Sequence, residues 1–160
     1  MNILITGAAG FIGFSLCKKF LKNTDLVIYG VDNIDNYYSV VLKKKRIKEL
    51  KKYKNFNFLK LDLKNTKAFK LLNKKKFKFI FHLAAQPGVR FSVSDPKRYI
   101  DENIVAFTKV LEFSRLQKCL CTFYASSSSV YGDSKKFPLN ENDDIKPKNI
   151  YGLSKKNNEE

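Results

Sequence analysis

Tyr151-Gly152-Leu153-Ser154-Lys155 stands near the end of the chain. On a helix, residues i and i+4 share a face, so the tyrosine hydroxyl and the lysine ammonium can point into one cleft. A free tyrosine has a pKa of about 10 and is a poor base at neutral pH. A nearby cation stabilises the phenolate and brings it toward a useful range. Upstream runs Ser126-Ser127-Ser128-Ser129-Val130-Tyr131-Gly132, and a serine hydroxyl close to such a pair can hold a substrate oxygen and pass a proton. Taken singly the pieces say less. A serine run is most often a loop, and the tyrosine–lysine spacing also fits the surface of an amphipathic helix.

The opening of the chain carries a second kind of chemistry. Asn2-Ile3-Leu4-Ile5 is a short apolar run that reads as a buried strand. It leads into Thr6-Gly7-Ala8-Ala9-Gly10-Phe11-Ile12-Gly13, after which Leu16, Phe20 and Leu21 take helical spacing on one face. Strand, glycine-rich turn and helix in that order form the phosphate-binding corner of a dinucleotide fold. Gly7 permits the tight turn, Gly10 lets backbone N–H groups approach a pyrophosphate, and Gly13 lets helix and strand pack closely. The helix N-terminus adds about half a positive charge. An ordinary βα loop without a ligand has the same glycine spacing; the context decides. Asp32 ends a second apolar run, Leu26–Val31, about 20 residues beyond the last glycine, where an acid can accept from a ribose 2′-hydroxyl. A carboxylate there repels a 2′-phosphate and selects NAD over NADP, although Lys43, Lys44 and Lys45 follow not far downstream.

The intervening chain must position these groups. Asn55–Leu61 reads as a third strand, Phe77–Ala85 as a fourth and Cys119–Ala125 as a fifth. Between them lie helical segments at Val40–Tyr53, Asn65–Asn73 and Pro96–Leu116, the last with Ile100, Ile104, Phe107 and Leu111 down one side. Such alternation predicts an α/β fold, a Rossmann-type doubly wound parallel sheet covered on both faces. In such sheets the ligand lies beyond the carboxyl ends of the strands. Gly7–Gly13, Asp32-Asn33, Asp62-Leu63, Leu83–Arg90 and Ser126–Tyr131 all fall at those ends.

Length and composition bound the function. At 160 residues with 44% hydrophobic content the chain is one domain with a packed core. Lys plus Arg total 31 against 15 acids, a net charge of +16, which hints at nucleic acid or a membrane surface. Only Arg46, Arg90, Arg98 and Arg115 are arginine, however, and base readout favours arginine. The lysines crowd Val40–Tyr53 and Lys64–Lys76, where a solvated helix face accounts for them. No apolar run approaches the ~20 residues that cross a bilayer, and the first residues read as a strand, not a signal peptide. His82 is the only histidine, and Cys17, Cys119 and Cys121 have no ligand spacing with it. The cysteines are therefore expected as small buried hydrophobes, with no metal site. A cytoplasmic protein without nucleic-acid or membrane partners is expected.

Together these motifs resemble the extended short-chain dehydrogenase/reductase family, specifically its NAD-dependent nucleotide-sugar epimerases and dehydratases. The resemblance rests on Thr6–Gly13, Val31-Asp32-Asn33, Leu61-Asp62-Leu63, His82-Leu83-Ala84-Ala85-Gln86, Ser126–Gly132 and Tyr151–Lys155, in the family's order and at its separations. Ala84-Ala85-Gln86-Pro87-Gly88-Val89-Arg90-Phe91-Ser92 is most similar to the UDP-glucuronate 4-epimerase branch. The resemblance implies that Tyr151 is the acid/base, that Lys155 holds the nicotinamide ribose and tunes Tyr151, and that Ser127 is the catalytic serine. It places Gly7, Gly10, Phe11, Ile12 and Gly13 at the pyrophosphate, Asp32 and Asn33 at the adenosine ribose, and Asp62 and Leu63 at the adenine. Leu83, Ala84 and Ala85 would line the cofactor's middle and Asn103 would support the cleft. Gln86, Arg90 and Ser127 would face the UDP-sugar substrate, although Arg90 fits a solvated loop equally well.

Within the resemblance, related 4,6-dehydratases carry an Asp-Glu pair where this chain has Ser128 and Ser129, and decarboxylating relatives carry a Glu at the second position. A serine hydroxyl is no base at neutral pH, so what remains is oxidation at C4 and return of the hydride to the opposite face. The expected activity is 4-epimerisation of a UDP-sugar with NAD, in a homodimer. Alternatives are another epimerase or dehydratase of the family, or a noncatalytic NAD- or nucleic-acid-binding module. The family's chains run to roughly twice this length. Residues 1–160 are therefore expected to be a truncated NAD-binding Rossmann domain, without the later strands and C-terminal substrate domain, and inactive alone.

Overall fold

The alternating apolar runs assemble into one parallel sheet. In the computed structural model, which describes residues 1–160, the strands are β1 (Asn2–Thr6), β2 (Val27–Asp32), β3 (Phe56–Lys60), β4 (Phe79–His82) and β5 (Cys121–Tyr124). All neighbours pair in parallel, in the order β3-β2-β1-β4-β5. Leu4, Ile5, Ile28, Val31 and Ile80 are fully buried, as strands covered on both faces require. The chain runs outward from β1 in both directions, so the switch point lies beyond the carboxyl ends of β1 and β4. Open sheets of this class take their ligands there. The Rossmann-type expectation is met.

Two compact units are distinguishable. The first, Met1–Ala84 with Lys109–Tyr124, holds the sheet. Its helices include α1 (Phe11–Phe20), α2 (Val40–Leu50) and α3 (Thr66–Leu72). The buried stripe of α1 is Gly13 and Cys17, continued by Leu21 just past the helix. Leu16 and Phe20, expected on the buried face, pack only partly against that core. The second unit, Ala85–Thr108 with Ala125–Glu160, contains α4 (Val89–Ser94), α5 (Pro96–Tyr99), a π-helical segment (Ile100–Val105), the start of α6 (Ala106–Gln117), a 3₁₀ turn (Ser128–Tyr131) and α7 (Ile150–Glu159).

The helix expected over Pro96–Leu116 is thus interrupted. A π segment widens the turn there, yet the buried residues keep the three- and four-residue spacing of one helical face. Tyr99, Asn103, Ala106, Phe107, Val110 and Phe113 are buried, whereas Ile100 and Leu111 are each 41% exposed. The predicted apolar stripe therefore keeps Phe107 and loses its two ends. Strand expectations were long at their ends too: Leu83, Ala84 and Ala85 have left β4 for the loop after it. No helix is long and apolar enough to cross a membrane.

The cysteines separate by environment, and only Cys17 behaves as the small buried hydrophobe expected of all three. Cys17 is buried, Cys119 is intermediate and Cys121, on the edge strand β5, is exposed. Burial pushes the Cys17 thiol up to about 12, which removes the reactive thiolate at ordinary pH. Alkylation with iodoacetamide at pH 8 is therefore expected to label Cys121 first and to leave Cys17 unmodified until the protein is denatured. Peptide mass mapping reads the order; early labelling of Cys17 would contradict this core.

Candidate functional site

In the first unit the glycine-rich turn is built by close backbone approach. Gly7 has φ of +69°, and a Cβ there would lie 2.8 Å from the backbone of Leu83 and Ala84. Gly10 N–H donates to the Gly7 carbonyl at 2.9 Å, so this amide closes the turn and is not offered outward. The donors left over are the first-turn N–H groups of α1, which have no partner within a helix. These belong to Phe11, Ile12 and Gly13, and the Phe11 and Ile12 residues are 74% and 62% exposed. An anion meets both open donors and the positive end of the helix dipole there.

Thr6 fastens the other side of the crevice. Its Oγ1 accepts the N–H groups of Leu83 (3.2 Å) and Ala84 (3.1 Å) and sits 2.8 Å from His82 Nδ1. The tail of β4 is thereby held against the end of β1. At the end of β2, the buried Asp32 carboxylate accepts from Ala9 N–H at 3.0 Å and from Ile34 N–H at 2.8 Å. Ile34 is held at φ of +57°, a conformation β-branched residues rarely adopt. Asn33 Oδ1 accepts from Asp35 N–H at 3.1 Å. Asp62 accepts from Lys64 N–H at 2.9 Å, and Leu63 is buried.

The lysine-rich α2 is not wholly a solvated face. Lys43 is buried, forms an ion pair with Asp35 and lies over the Tyr38 ring at 4.5 Å. Of the three lysines that weighed against NAD, this one is thus engaged within the protein, while Lys44 and Lys45 are exposed.

The second unit gathers the proton-transfer candidates. Tyr151 and Lys155 lie on α7, whose N-cap Asn149 accepts the Gly152 N–H at 2.8 Å. Gly152 lets this helix approach the serine loop: a Cβ there would stand 2.5 Å from the Ser129 carbonyl oxygen. Ser127 caps the 3₁₀ turn, its hydroxyl accepting Ser129 N–H at 3.2 Å. Tyr151 is half-buried, with its ring edge-on to the buried Tyr99 at 6.0 Å. Lys155 Nζ donates to the Ala125 carbonyl at 2.8 Å. Burial lowers its pKa to about 8, because desolvation disfavours the ammonium.

Asn103 ties these pieces together. Its Oδ1 accepts Gln86 N–H at 2.7 Å, and its Nδ2 donates to the Gln86 carbonyl at 3.1 Å and to Ser154 Oγ at 3.0 Å. Ser154 in turn donates to the Tyr151 carbonyl at 2.7 Å. Asn103 and Gln86 are therefore brought together with α7, while Arg90 is exposed at the start of α4 and Ala85 is half-buried in the loop before it.

A family model described as GDP-mannose 4,6 dehydratase matches residues 4–160. The chain belongs to this family of nucleotide-sugar epimerases and dehydratases. It is 47% identical over 161 residues to Protein CapI of Staphylococcus aureus, covering 99% of this chain and 48% of that protein. With a probable UDP-glucuronate 4-epimerase of Rhizobium meliloti it shares 36% identity, over 99% of this chain and 47% of the relative. Among solved structures, the Bacillus cereus UDP-glucuronic acid 4-epimerase in complex with UDP-glucuronic acid and NAD superposes with a TM-score of 0.91 at 37% identity. That match covers 99% of this chain and 50% of the other. The chain spans about half the length of the curated relatives it matches.

The motifs of the family did not single out Thr6 or Ser154, although both lie within them, each beside a residue marked for chemistry. Tyr38 and Arg46, which donate to the Ala9 carbonyl of the glycine-rich turn, carry no signal beyond lying between Asp32 and the end of a helix.

Burial of Lys155 has a consequence for stability. Its folded pKa of about 8 lies below the roughly 10.4 of an unfolded lysine. The unfolded chain therefore binds more protons between these values, and the penalty of burying the ammonium is relieved as pH rises through that window. Lys155→Met removes the penalty, on the order of 3 kcal/mol at neutral pH. Denaturation from pH 7 to pH 10.5 should show wild type gaining on the variant above pH 8. A difference independent of pH would contradict a desolvated Lys155.

Proposed function

We propose that the chain carries the cofactor-binding and proton-transfer groups of an NAD-dependent UDP-glucuronate 4-epimerase. The observation that carries the reading is the pairing of an open glycine-rich cradle, with Asp32 fixed behind it, with a desolvated Lys155 one helical turn from Tyr151. The cradle fits a dinucleotide: Phe11, Ile12 and Gly13 have first-turn N–H groups without a helical partner for the diphosphate, and Asp32 has a carboxylate for the adenosine ribose. Asn33 joins Asp32 there. Asp62 and Leu63 are assigned to the adenine, Leu83, Ala84, Ala85 and Asn103 to the middle of the cofactor. Bound NAD would supply the hydride acceptor and donor.

Tyr151 is assigned the proton at the sugar C4 oxygen, and Lys155 the nicotinamide ribose and the stabilisation of the phenolate. Lys155 has no carboxylate within the protein to neutralise it; its hydrogen bond goes to a carbonyl. Its charge is thus available to the tyrosine. Ser127 keeps its own proton for a substrate oxygen while its lone pair caps the turn. Gln86 and Arg90 are assigned to the substrate, with Arg90 facing the sugar carboxylate. Ser128 and Ser129 occupy the 3₁₀ turn, and neither can act as the carboxylate that dehydration or decarboxylation needs. Epimerisation is favoured over dehydration on that chemical ground.

A homodimer and a cytoplasmic location belong to the same reading, without nucleic acid or a membrane as partner. Ile100, Ile104, Ile150 and Leu153 surround a hollow of about 220 Å³ in the second unit, an apolar surface that a second copy would cover. The substrate and turnover are proposed for the protein at the length of its relatives; residues 1–160 alone are expected to bind NAD without turning over.

In the protein at that length, Tyr151→Phe is expected to reduce interconversion of UDP-glucuronate and UDP-galacturonate by at least about 10³-fold. NAD affinity by calorimetry should stay within about threefold, since one hydroxyl is removed. Chromatography of products with wild type should show no net reduction of NAD. Dehydrated or decarboxylated sugar as the only product would overturn the assignment, and retained exchange in the variant would move the acid/base elsewhere.

A further inference from the structure

Both ends of the Ala9 residue are gripped by side chains from the β2–α2 segment. Its N–H goes to Asp32 Oδ2 at 3.0 Å. Its carbonyl accepts from Arg46 Nη1 at 3.1 Å and from the Tyr38 hydroxyl at 3.3 Å. Arg46 Nη1 also donates to the Tyr38 oxygen at 3.2 Å, so the phenol accepts one bond and passes its own proton to Ala9. Phe11 and Phe14 of α1 lie 5.8 and 6.0 Å from the guanidinium carbon, within cation–π range. Behind Tyr38, the buried Lys43 sits over the ring and is held by the Asp35 carboxylate and carbonyl. Ala9 precedes Gly10, whose N–H closes the turn onto Gly7.

We propose that Arg46, acting with Tyr38, is a positioning residue that locks the Ala9–Gly10 peptide so that the amides of Phe11, Ile12 and Gly13 face a diphosphate. The inference rests on the dinucleotide reading of the glycine-rich turn. A peptide flip at Ala9–Gly10 would cost the two bonds at the carbonyl and the turn-closing bond of Gly10 together. Asp32 holds the same residue by its N–H and is itself held by the Ile34 N–H, so it keeps a backbone anchor independent of the Ala9 carbonyl. Arg46 and Tyr38 bond to that carbonyl and to no atom of Asp32. Their removal is therefore felt by a ligand with a diphosphate and spared by one without.

The test compares ADP-ribose with adenosine by calorimetry on the 160-residue chain; the two differ by the diphosphate and the second ribose, and neither Arg46 nor Tyr38 is assigned to that ribose. Arg46→Met is expected to weaken ADP-ribose about tenfold or more, from loss of charge-assisted bonds, and adenosine less than about twofold. Tyr38→Phe keeps the ring and the fold and should weaken ADP-ribose about three- to fivefold. Amide hydrogen exchange at Gly10 should quicken in both variants. Equal weakening of the two ligands, or unchanged ADP-ribose affinity with unchanged Gly10 exchange, would overturn the assignment to Arg46 and Tyr38 while leaving the dinucleotide reading in place. A wild-type chain that binds neither ligand would overturn the dinucleotide reading, and the assignment with it.

Discussion

The first unit depends on one close backbone approach, that of Gly7 to Leu83 and Ala84. Any side chain at residue 7 would occupy the space of that backbone, and φ of +69° is itself a conformation that favours glycine. The approach lets Thr6 Oγ1 collect two amides from the tail of β4. It also turns the chain into α1 directly beyond β1. The site of a Rossmann sheet is a crevice between diverging loops; here its width is set by contact between two main chains, which cannot repack as side chains can. The aim of α1, the placement of its free amides and the alignment of Leu83 and Ala84 all follow.

The second unit solves a different problem, the burial of polar groups, of which Asn158 Oδ1 is left without a partner. Asn103, Ser154 and Lys155 are each at least 95% buried, and unpaired polar atoms at such depth cost about 1–3 kcal/mol each. Asn103 satisfies both ends of its amide, two of the three bonds going to the main chain of Gln86. Asn103 lies within the π segment, so the helical irregularity and the polar knot that anchors α7 coincide. Lys155 is the exception in charge: its ammonium is bonded to the Ala125 carbonyl and to no carboxylate.

Much of this was legible in the sequence. The five apolar runs gave the strands because parallel strands bury both faces and leave little ambiguity, and the glycine spacing located the turn. Tyr151 and Lys155 fell on one helix as their spacing required. The buried face at residues 99–113 was not legible, because Ile100, Ile104, Phe107 and Leu111 form a clean apolar stripe, whereas the face that is buried carries Tyr99 and Asn103, which read as polar. Lys43 and Arg46 were hidden by their setting: in a run of lysines and one arginine, a buried ion pair and a loop anchor have the same letters as a solvated face. The end of β4 was overextended because Leu83, Ala84 and Ala85 are apolar, yet the Leu83 and Ala84 amides go to Thr6 Oγ1, not to a strand.

If the glycine-rich turn, Asp32 and the residues beyond β4 bind a dinucleotide, their amides respond to it. Amide chemical-shift mapping of the isotope-labelled chain during titration with NAD tests it most directly. Saturable shifts concentrated at residues 7–13, 32–33, 62–63 and 83–85 are expected. Absence of shifts at millimolar NAD, or shifts confined to residues outside those segments, would contradict it.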